Sequence, residues 1–237
     1  MKKTTQQKYM NAQNSWIAAD GTLSFFHHLS CQVKHIPLKR IFDIVFSLFV
    51  LLLCLPLLLF IAMAIRFSSS GKIVYSQERI GRGGTPFRCY KFRTMYPDAD
   101  QLLQQILKKD EEKRKEWEQN HKLKNDPRIT PIGAFLRRTS LDELPQFWNV
   151  LKGDLSVVGP RPVVSEEIIK HYKSKAYKIL SIRPGITGMW QISGRSNTTY
   201  QQRIALDEYY VDRRTFMLDM KIVALTIPSM ITKKGAY

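Results

Sequence analysis

The sequence predicts an α/β protein: a compact cytoplasmic domain with a small sheet and several helices (68–237), joined to a re-entrant membrane helix-break-helix (39–67) that follows an N-terminal extension (1–38). Three observations lead there. Residues 44–65, IVFSLFVLLLCLPLLLFIAMAI, run for 22 positions without a charge. A proline, Pro56, sits in the middle of that run. Past it the chain resumes an ordinary mixture of strand-like and helix-like segments parted by Gly and Pro. At 237 residues the chain is long enough for one well-packed domain with appendages.

The apolar run would make roughly 33 Å of helix at about 1.5 Å per residue, enough to cross a bilayer. It begins too far into the chain, and lacks the small-residue site after it, for a cleaved signal peptide. Its flanks argue against a straight crossing. Residues 1–40 carry six cations against Asp20, and residues 66–93 carry seven against Glu78, so both ends favour the cytoplasmic side. A spanning helix satisfies one flank only. Pro56 removes a helical hydrogen bond and clashes with the preceding turn, which bends the run into two arms and leaves both basic flanks on one side. A spanning helix with a tolerated proline kink is the competing reading.

Charge narrows the partners. Lys and Arg number 37 against 20 Asp and Glu, and the net charge of +17 points to nucleic acid, anionic lipid headgroups or phosphorylated small molecules. The apolar run and the lack of a nucleic-acid motif count against the first. Cys31, Cys54 and Cys89 are odd in number, widely separated and without CxxC spacing, which fits free thiols of a reducing compartment. The five histidines show no HxxxH or HExxH spacing, so no zinc site follows.

Residues 72–95, KIVYSQERIGRGGTPFRCYKFRTM, read as two short strands joined through Gly81, Gly83 and Gly84. In a strand over 87–94, Lys91 and Arg93 share a face, since side chains alternate. Two cations on one face fit a diphosphate, and equally an edge protected by charge. Residues 98–120 predict a polar surface helix without chemistry. The turn markers Asp126-Pro127 and Thr130-Pro131 then lead to the segment RRTSLDELPQFWNVLKGDLSVVGPRP.

That segment carries the chemistry. Asp142 and Glu143 are adjacent carboxylates set among arginines, a combination suited to a phosphate-bearing substrate and a metal ion. Ser140 to Glu143 matches a capping box, with Ser140 as N-cap, and a helix start there would keep Asp142 ionised as a nucleophile or metal ligand. Glu143 has two readings at this point, a helix cap or a functional carboxylate. Leu144, Phe147, Trp148 and Leu151 are expected to form the buried face of that helix, and Gly153 to end it. In Gly159-Pro160-Arg161-Pro162 the two prolines restrict the backbone around Arg161. Arg183 and Arg195 also stand near glycines, which permit close approach, while arginine binds phosphate through two donors.

Asp207 and Glu208 are expected to be a structural or salt-bridged pair, and Trp190 a core residue. The C-terminal apolar stretch, broken at Pro228, either lies along a membrane interface or packs on the domain.

Taken together, the blocks KRIFDIVFSL, YKFRTM, SLDELPQFWNVLKGDLSVVGPRP, RPGITGMWQISGR and LDEYYV, in that order over roughly 195 residues, resemble the bacterial sugar transferases, the monotopic phosphoglycosyl transferases. These move a sugar-1-phosphate from a nucleotide sugar to a polyprenyl phosphate. The stretch GMWQISGRSNTTYQQRIALDEYYV is similar to the hexose-transferring members that begin exopolysaccharide repeats with galactose or glucose.

The resemblance implies that Asp142 is a nucleophile that expels UMP from a UDP-sugar and holds a covalent phosphosugar, which undecaprenyl phosphate then attacks. It implies Mg²⁺ at Glu143, with Asp142 beside it, and phosphate or nucleotide contacts for Arg137, Arg161 and Arg195 and for the basic strand residues Lys91 and Arg93. It also implies a re-entrant membrane segment on the cytoplasmic face of the inner membrane, contact with lipid, no nucleic acid, and leaves self-association into a homo-oligomer open. Two departures stand out: Leu55-Pro56 replaces the Ser-Pro that many relatives have at the membrane break, and residues 1–38 lie outside the resemblance. The reading from another class is a basic, membrane-anchored scaffold of a polysaccharide-assembly system, in which Asp142 and Glu143 only cap a helix.

Overall fold

The apolar run folds as two helices, α1 (Pro37–Leu53) and α2 (Leu55–Ser68), bent by 62° at Cys54. This is a computed structural model, and it describes residues 37–120, 123–194 and 198–231. Pro56 occupies the first turn of α2, where its missing N–H has no helical partner to lose. The Cys54 N–H donates to the Val50 carbonyl at 2.9 Å and the Cys54 carbonyl accepts the Leu58 N–H at 2.8 Å, so hydrogen bonding continues through the break. No single helix among the described residues is long and apolar enough to cross a membrane. Both arms leave large apolar side chains in the open, with Val45, Phe49, Leu52, Leu53, Leu59 and Phe60 each more than half exposed. Such a surface calls for an apolar neighbour.

The base of α1 is polar and partly buried. Lys39 Nζ sits 2.6 Å from Asp219 Oδ2 and donates to the Val158 carbonyl at 3.0 Å. Arg40 donates to the carbonyls of Val150 and Leu151, at 2.7 and 3.0 Å. Asp43 accepts from Ser156 Oγ and the Val157 N–H. Three side chains from the first turns of α1 thus tie it to the domain.

Two small sheets position the site. β1 (Val74–Ile80) and β2 (Pro86–Phe92) pair antiparallel, Val74 opposite Phe92 and Ile80 opposite Pro86. The turn between them uses Gly83 and Gly84 at φ 68° and 80°, values that only glycine adopts without strain. The expected hairpin is present, although β2 ends at Phe92 and leaves Arg93 beyond it. β3 (Ser156–Val158) and β4 (Gly185–Thr187) pair in parallel.

Helices pack around these sheets. The expected helix over 98–120 is two, α3 (Ala99–Lys109) and α4 (Glu111–Asn120), because Asp110 is extended and its Oδ1 accepts the Lys113 N–H at 3.0 Å, starting a new helix. α5 (Pro131–Thr139) is capped by Thr130, and α6 (Gln146–Lys152) stops at Gly153, φ 90°. α7 (Tyr200–Arg213) and α8 (Phe216–Ile231) close the described chain. Pro228 does not break α8: it lies in the last turn, where only the Ala224 carbonyl loses its helical partner. α8 packs on the domain through Ile222, which is fully buried.

The largest core joins Val150, Leu155, Val157, Val158, Ile182, Tyr210 and Ile222. A second unites Val163, Tyr172, Ala176, Ile179 and Ile204. The third sets Ile61 and Ile65 of α2 against Phe92 and Leu136, so the apolar arm is anchored directly beside the segment bearing Asp142. Fully burying each such side chain contributes about 1.5–3 kcal/mol.

Candidate active site

Ser140 sets the geometry of the two carboxylates, though not as a capping residue. It is left-handed, at φ 56° and ψ 16°, and its N–H donates back to the Arg137 and Leu136 carbonyls to end α5. Its side chain makes no cap. Leu141–Glu143 then form a single 3₁₀ turn, and α6 starts only at Gln146. The reason is Pro145: it has no N–H to give the Leu141 carbonyl, so an α-helix cannot run through from there. The capping-box expectation is therefore corrected, and with it the helix-terminus argument for Asp142.

Burial dominates instead. Asp142 is 7 % exposed, and desolvation pushes its carboxyl up to about 6, against the opposing pull of Lys91; Glu143 adds to the rise and Arg137 opposes it. Lys91 Nζ lies 2.6 Å from Glu143 Oε1 and 3.8 Å from Asp142 Oδ2, one ammonium serving both carboxylates. Arg137 donates from Nε to Thr94 Oγ1 at 2.9 Å. Arg161 lines one cavity with Lys91, Glu143, Gln146 and Arg79.

Not every expected residue is brought here. Arg93 does not line the cavity: its guanidinium is buried and donates to the Ser69 and Ser70 carbonyls at 2.8 and 2.6 Å, closing the end of α2. Arg183 donates to the Gly153 carbonyl at 2.8 Å, at the end of α6. Arg195 lies outside the described residues. The glycines near these arginines serve backbone-to-backbone packing: a Cβ on Gly185 would overlap the Gly159 backbone nitrogen, and one on Gly159 would come 2.6 Å from the Arg183 carbonyl oxygen.

The inward face of α6 also differs from the expected one. Gln146, Asn149 and Val150 are buried, while Trp148 is 57 % exposed and Phe147 and Leu151 only half-buried. Asn149 meets the edge of β2, accepting the Tyr90 N–H at 2.9 Å and donating to the Arg88 carbonyl at 2.7 Å. An apolar residue there would leave both groups without partners. Asn149 thereby fixes the strand carrying Lys91 against the helix that follows Glu143.

Behind the cavity, Arg161 and Arg203 both lie over the Trp190 ring, at 5.1 and 5.0 Å, so Trp190 is a half-buried platform and not simple core. Glu167 bridges Arg203, at 3.3 Å, and Arg79, at 3.7 Å. Asp207 is buried and accepts from Tyr172 at 3.3 Å, its carboxyl pushed up to about 7 by burial, while Glu208 pairs with Lys175 at 2.6 Å. Both fit the structural reading. Arg79, Gln146, Asn149 and Arg203 escaped the sequence reading. Arg79 had a usable signal, because alternation carried across the hairpin from Lys91 reaches it.

Residues 34–233 match the family described as bacterial sugar transferase. The chain is 44% identical over 200 residues to the undecaprenyl-phosphate galactose phosphotransferase of Salmonella typhimurium, a match covering 84% of this chain and 42% of that one. It is 45% identical over 199 residues to the exopolysaccharide production protein ExoY of Rhizobium meliloti, covering 84% and 88%. It is 38% identical over 208 residues to the UDP-glucose:undecaprenyl-phosphate glucose-1-phosphate transferase of Escherichia coli, covering 84% and 41%. The chain therefore spans about two fifths of the Salmonella and Escherichia proteins and most of ExoY.

Proposed function

Because the chain belongs to the bacterial sugar transferase family, we propose that it transfers a hexose-1-phosphate, galactose or glucose, from a UDP-sugar to undecaprenyl phosphate. The reaction would start an exopolysaccharide, capsule or O-antigen-type glycan on the cytoplasmic face of the inner membrane, with α1 and α2 as a re-entrant anchor. The observation that carries the mechanism is the buried Asp142 beside Lys91 and Glu143.

An Asp142 carboxylate oxygen attacks the sugar-bearing phosphorus. A bond forms from Oδ to phosphorus, the bridging P–O bond of the diphosphate breaks, and UMP leaves with that bridging oxygen and its electron pair. An oxygen of undecaprenyl phosphate then attacks the same phosphorus, forming the lipid diphosphate sugar and returning Asp142 as a carboxylate. Burial suits this role, since a carboxylate stripped of water is a stronger nucleophile than a solvated one and loses no hydration shell on attack. Lys91 holds Glu143 in place and lowers the charge facing the incoming diphosphate, while Arg161 reaches the same cavity.

The donor set fits Mg²⁺, an ion commonly held by one or two carboxylates with substrate phosphate and water completing its shell. Among the described residues no group of three or more His, Cys, Asp or Glu side chains gathers to form a closed protein cage. Glu143, with Asp142 beside it, would hold the ion, which neutralises diphosphate charge when bound. The test is UMP release from a panel of UDP-hexoses with Mg²⁺ and undecaprenyl phosphate. Asp142→Asn should lower it by about a thousandfold or more, and Glu143→Gln should raise the Mg²⁺ requirement. UMP release untouched by Asp142→Asn would remove Asp142 as nucleophile.

A further inference from the structure

Arg79 shares a face of the hairpin with Lys91. In the register Tyr75 lies opposite Lys91, Gln77 opposite Cys89 and Arg79 opposite Phe87, and directly opposed residues point the same way. Both cations line the cavity that also contains Glu143, Gln146 and Arg161. The Arg79 guanidinium is held in place: Nη2 donates to Gln77 Oε1 at 2.7 Å and Nη1 to the Pro162 carbonyl at 3.3 Å. Its side chain is 16% exposed.

Charge around this guanidinium is unbalanced. Glu167 stands 3.7 Å away but also serves Arg203 at 3.3 Å, while the other carboxylate of the cluster, Asp207, faces Arg203 and Arg161. Burial and the like charge of Arg161 both disfavour the Arg79 cation. Two guanidinium forks fixed on separate elements, β1 and the Gly159–Pro162 loop, therefore face one cavity beside an ammonium. An anion placed among them gains hydrogen bonds without ordering the side chains afresh. Lys91 and one fork suffice for a single phosphate, and the second fork matches a second phosphate joined to the first.

We propose that Arg79 and Arg161 form a clamp for the diphosphate of the nucleotide-sugar donor, with Arg79 as a binding residue; this rests on the transferase reading above. Arg79 is the fork that the second phosphate of the donor requires, so a monophosphate, nucleotide or lipid, depends on it less.

Calorimetric titration of the full chain in detergent tests this, with UDP, UMP and a short-chain prenyl monophosphate as probes. Arg79→Gln should weaken UDP about tenfold or more, with UMP and the prenyl phosphate reduced much less. Arg79→Lys keeps the charge but loses the fork, and should weaken UDP by an intermediate amount; it decides the matter if Arg79→Gln melts early. UDP affinity held within about twofold in the variants that fold would overturn the clamp. Equal losses for UDP and UMP would overturn the diphosphate assignment, and a loss confined to the prenyl phosphate would reassign Arg79 to the acceptor. UMP release by the wild type, measured alongside, separates the two readings. A wild type that transfers while Arg79→Gln binds UDP normally sinks the clamp alone. A wild type that transfers nothing, yet loses UDP binding on Arg79→Gln, sinks the transferase alone.

Discussion

At the residue scale, Asp142 carries a cost and a use in one atom pair. Its carboxyl holds a proton more tightly in the folded chain, up to about 6, than at the ordinary 3.8. The folded state then binds more protons than the unfolded state across this window, so stability falls as pH rises from about 4 to about 6 and stays lowered above. A rise of this size corresponds to at most about 3 kcal/mol. Asp142→Asn should therefore raise the melting temperature at pH 7.5 while abolishing transfer, with the gain shrinking toward pH 4; thermal melts across pH check the sign, and a less stable variant at pH 7.5 would show that the Lys91 pairing outweighs burial. UMP release by the wild type should climb with a midpoint near 6 and level off above it. Ser140 is held left-handed at φ 56°, a conformation that costs about 1 kcal/mol for a residue with a Cβ. Ser140→Gly should be tolerated and Ser140→Val should lower stability by about 1–2 kcal/mol in denaturant titrations. Adjacent acids among arginines made the two carboxylates legible in the sequence. Their environment was not, because burial is a property of the residues that close over them.

At the element scale, polar groups decide how the pieces meet. Reading α6 by hydrophobicity turned its inward face toward Trp148, whereas the partner is the backbone edge of β2 and the matching residue is Asn149. Periodicity finds apolar faces and is blind to an amide that serves a strand. Asn149→Ala would strand the Tyr90 N–H and the Arg88 carbonyl and should cost about 2–4 kcal/mol by chemical denaturation, with UMP release falling too because Lys91 adjoins Tyr90. The same blindness explains Arg93, whose place on a basic strand gave no sign that it closes the end of α2. Hairpin and hinge, by contrast, were legible because Gly83, Gly84 and Pro56 act through their own backbones. Gly185 was legible as a site of close approach, although what approaches is the Gly159 backbone. Gly185→Ala should push the loop bearing Arg161 outward, raising KM for the UDP-sugar more than it lowers kcat.

At the scale of the whole molecule, the bent pair α1–α2 stands on a domain that grips both of its ends, α1 through Lys39, Arg40 and Asp43 and α2 through Ile61, Ile65 and Arg93. A helix pair gripped at both ends by one body suits the re-entrant path proposed above, in which the chain returns to the side it left. In sealed inverted vesicles, cysteines placed at Leu38 and Lys72 should both react with an impermeant reagent from the same side; labelling from opposite sides would establish a span. Pro56 made the bend readable in the chain, while the grip was hidden because its partners lie far away in sequence. That separation has a consequence for synthesis. Lys39 and Asp219 are 180 residues apart, so at about 5–20 residues per second the lysine waits of order ten to forty seconds on the ribosome for its counterion. The helix that leads the domain thus gains its buried counterion last, after residues 150–157, its contacts through Arg40 and Asp43, have already been synthesised.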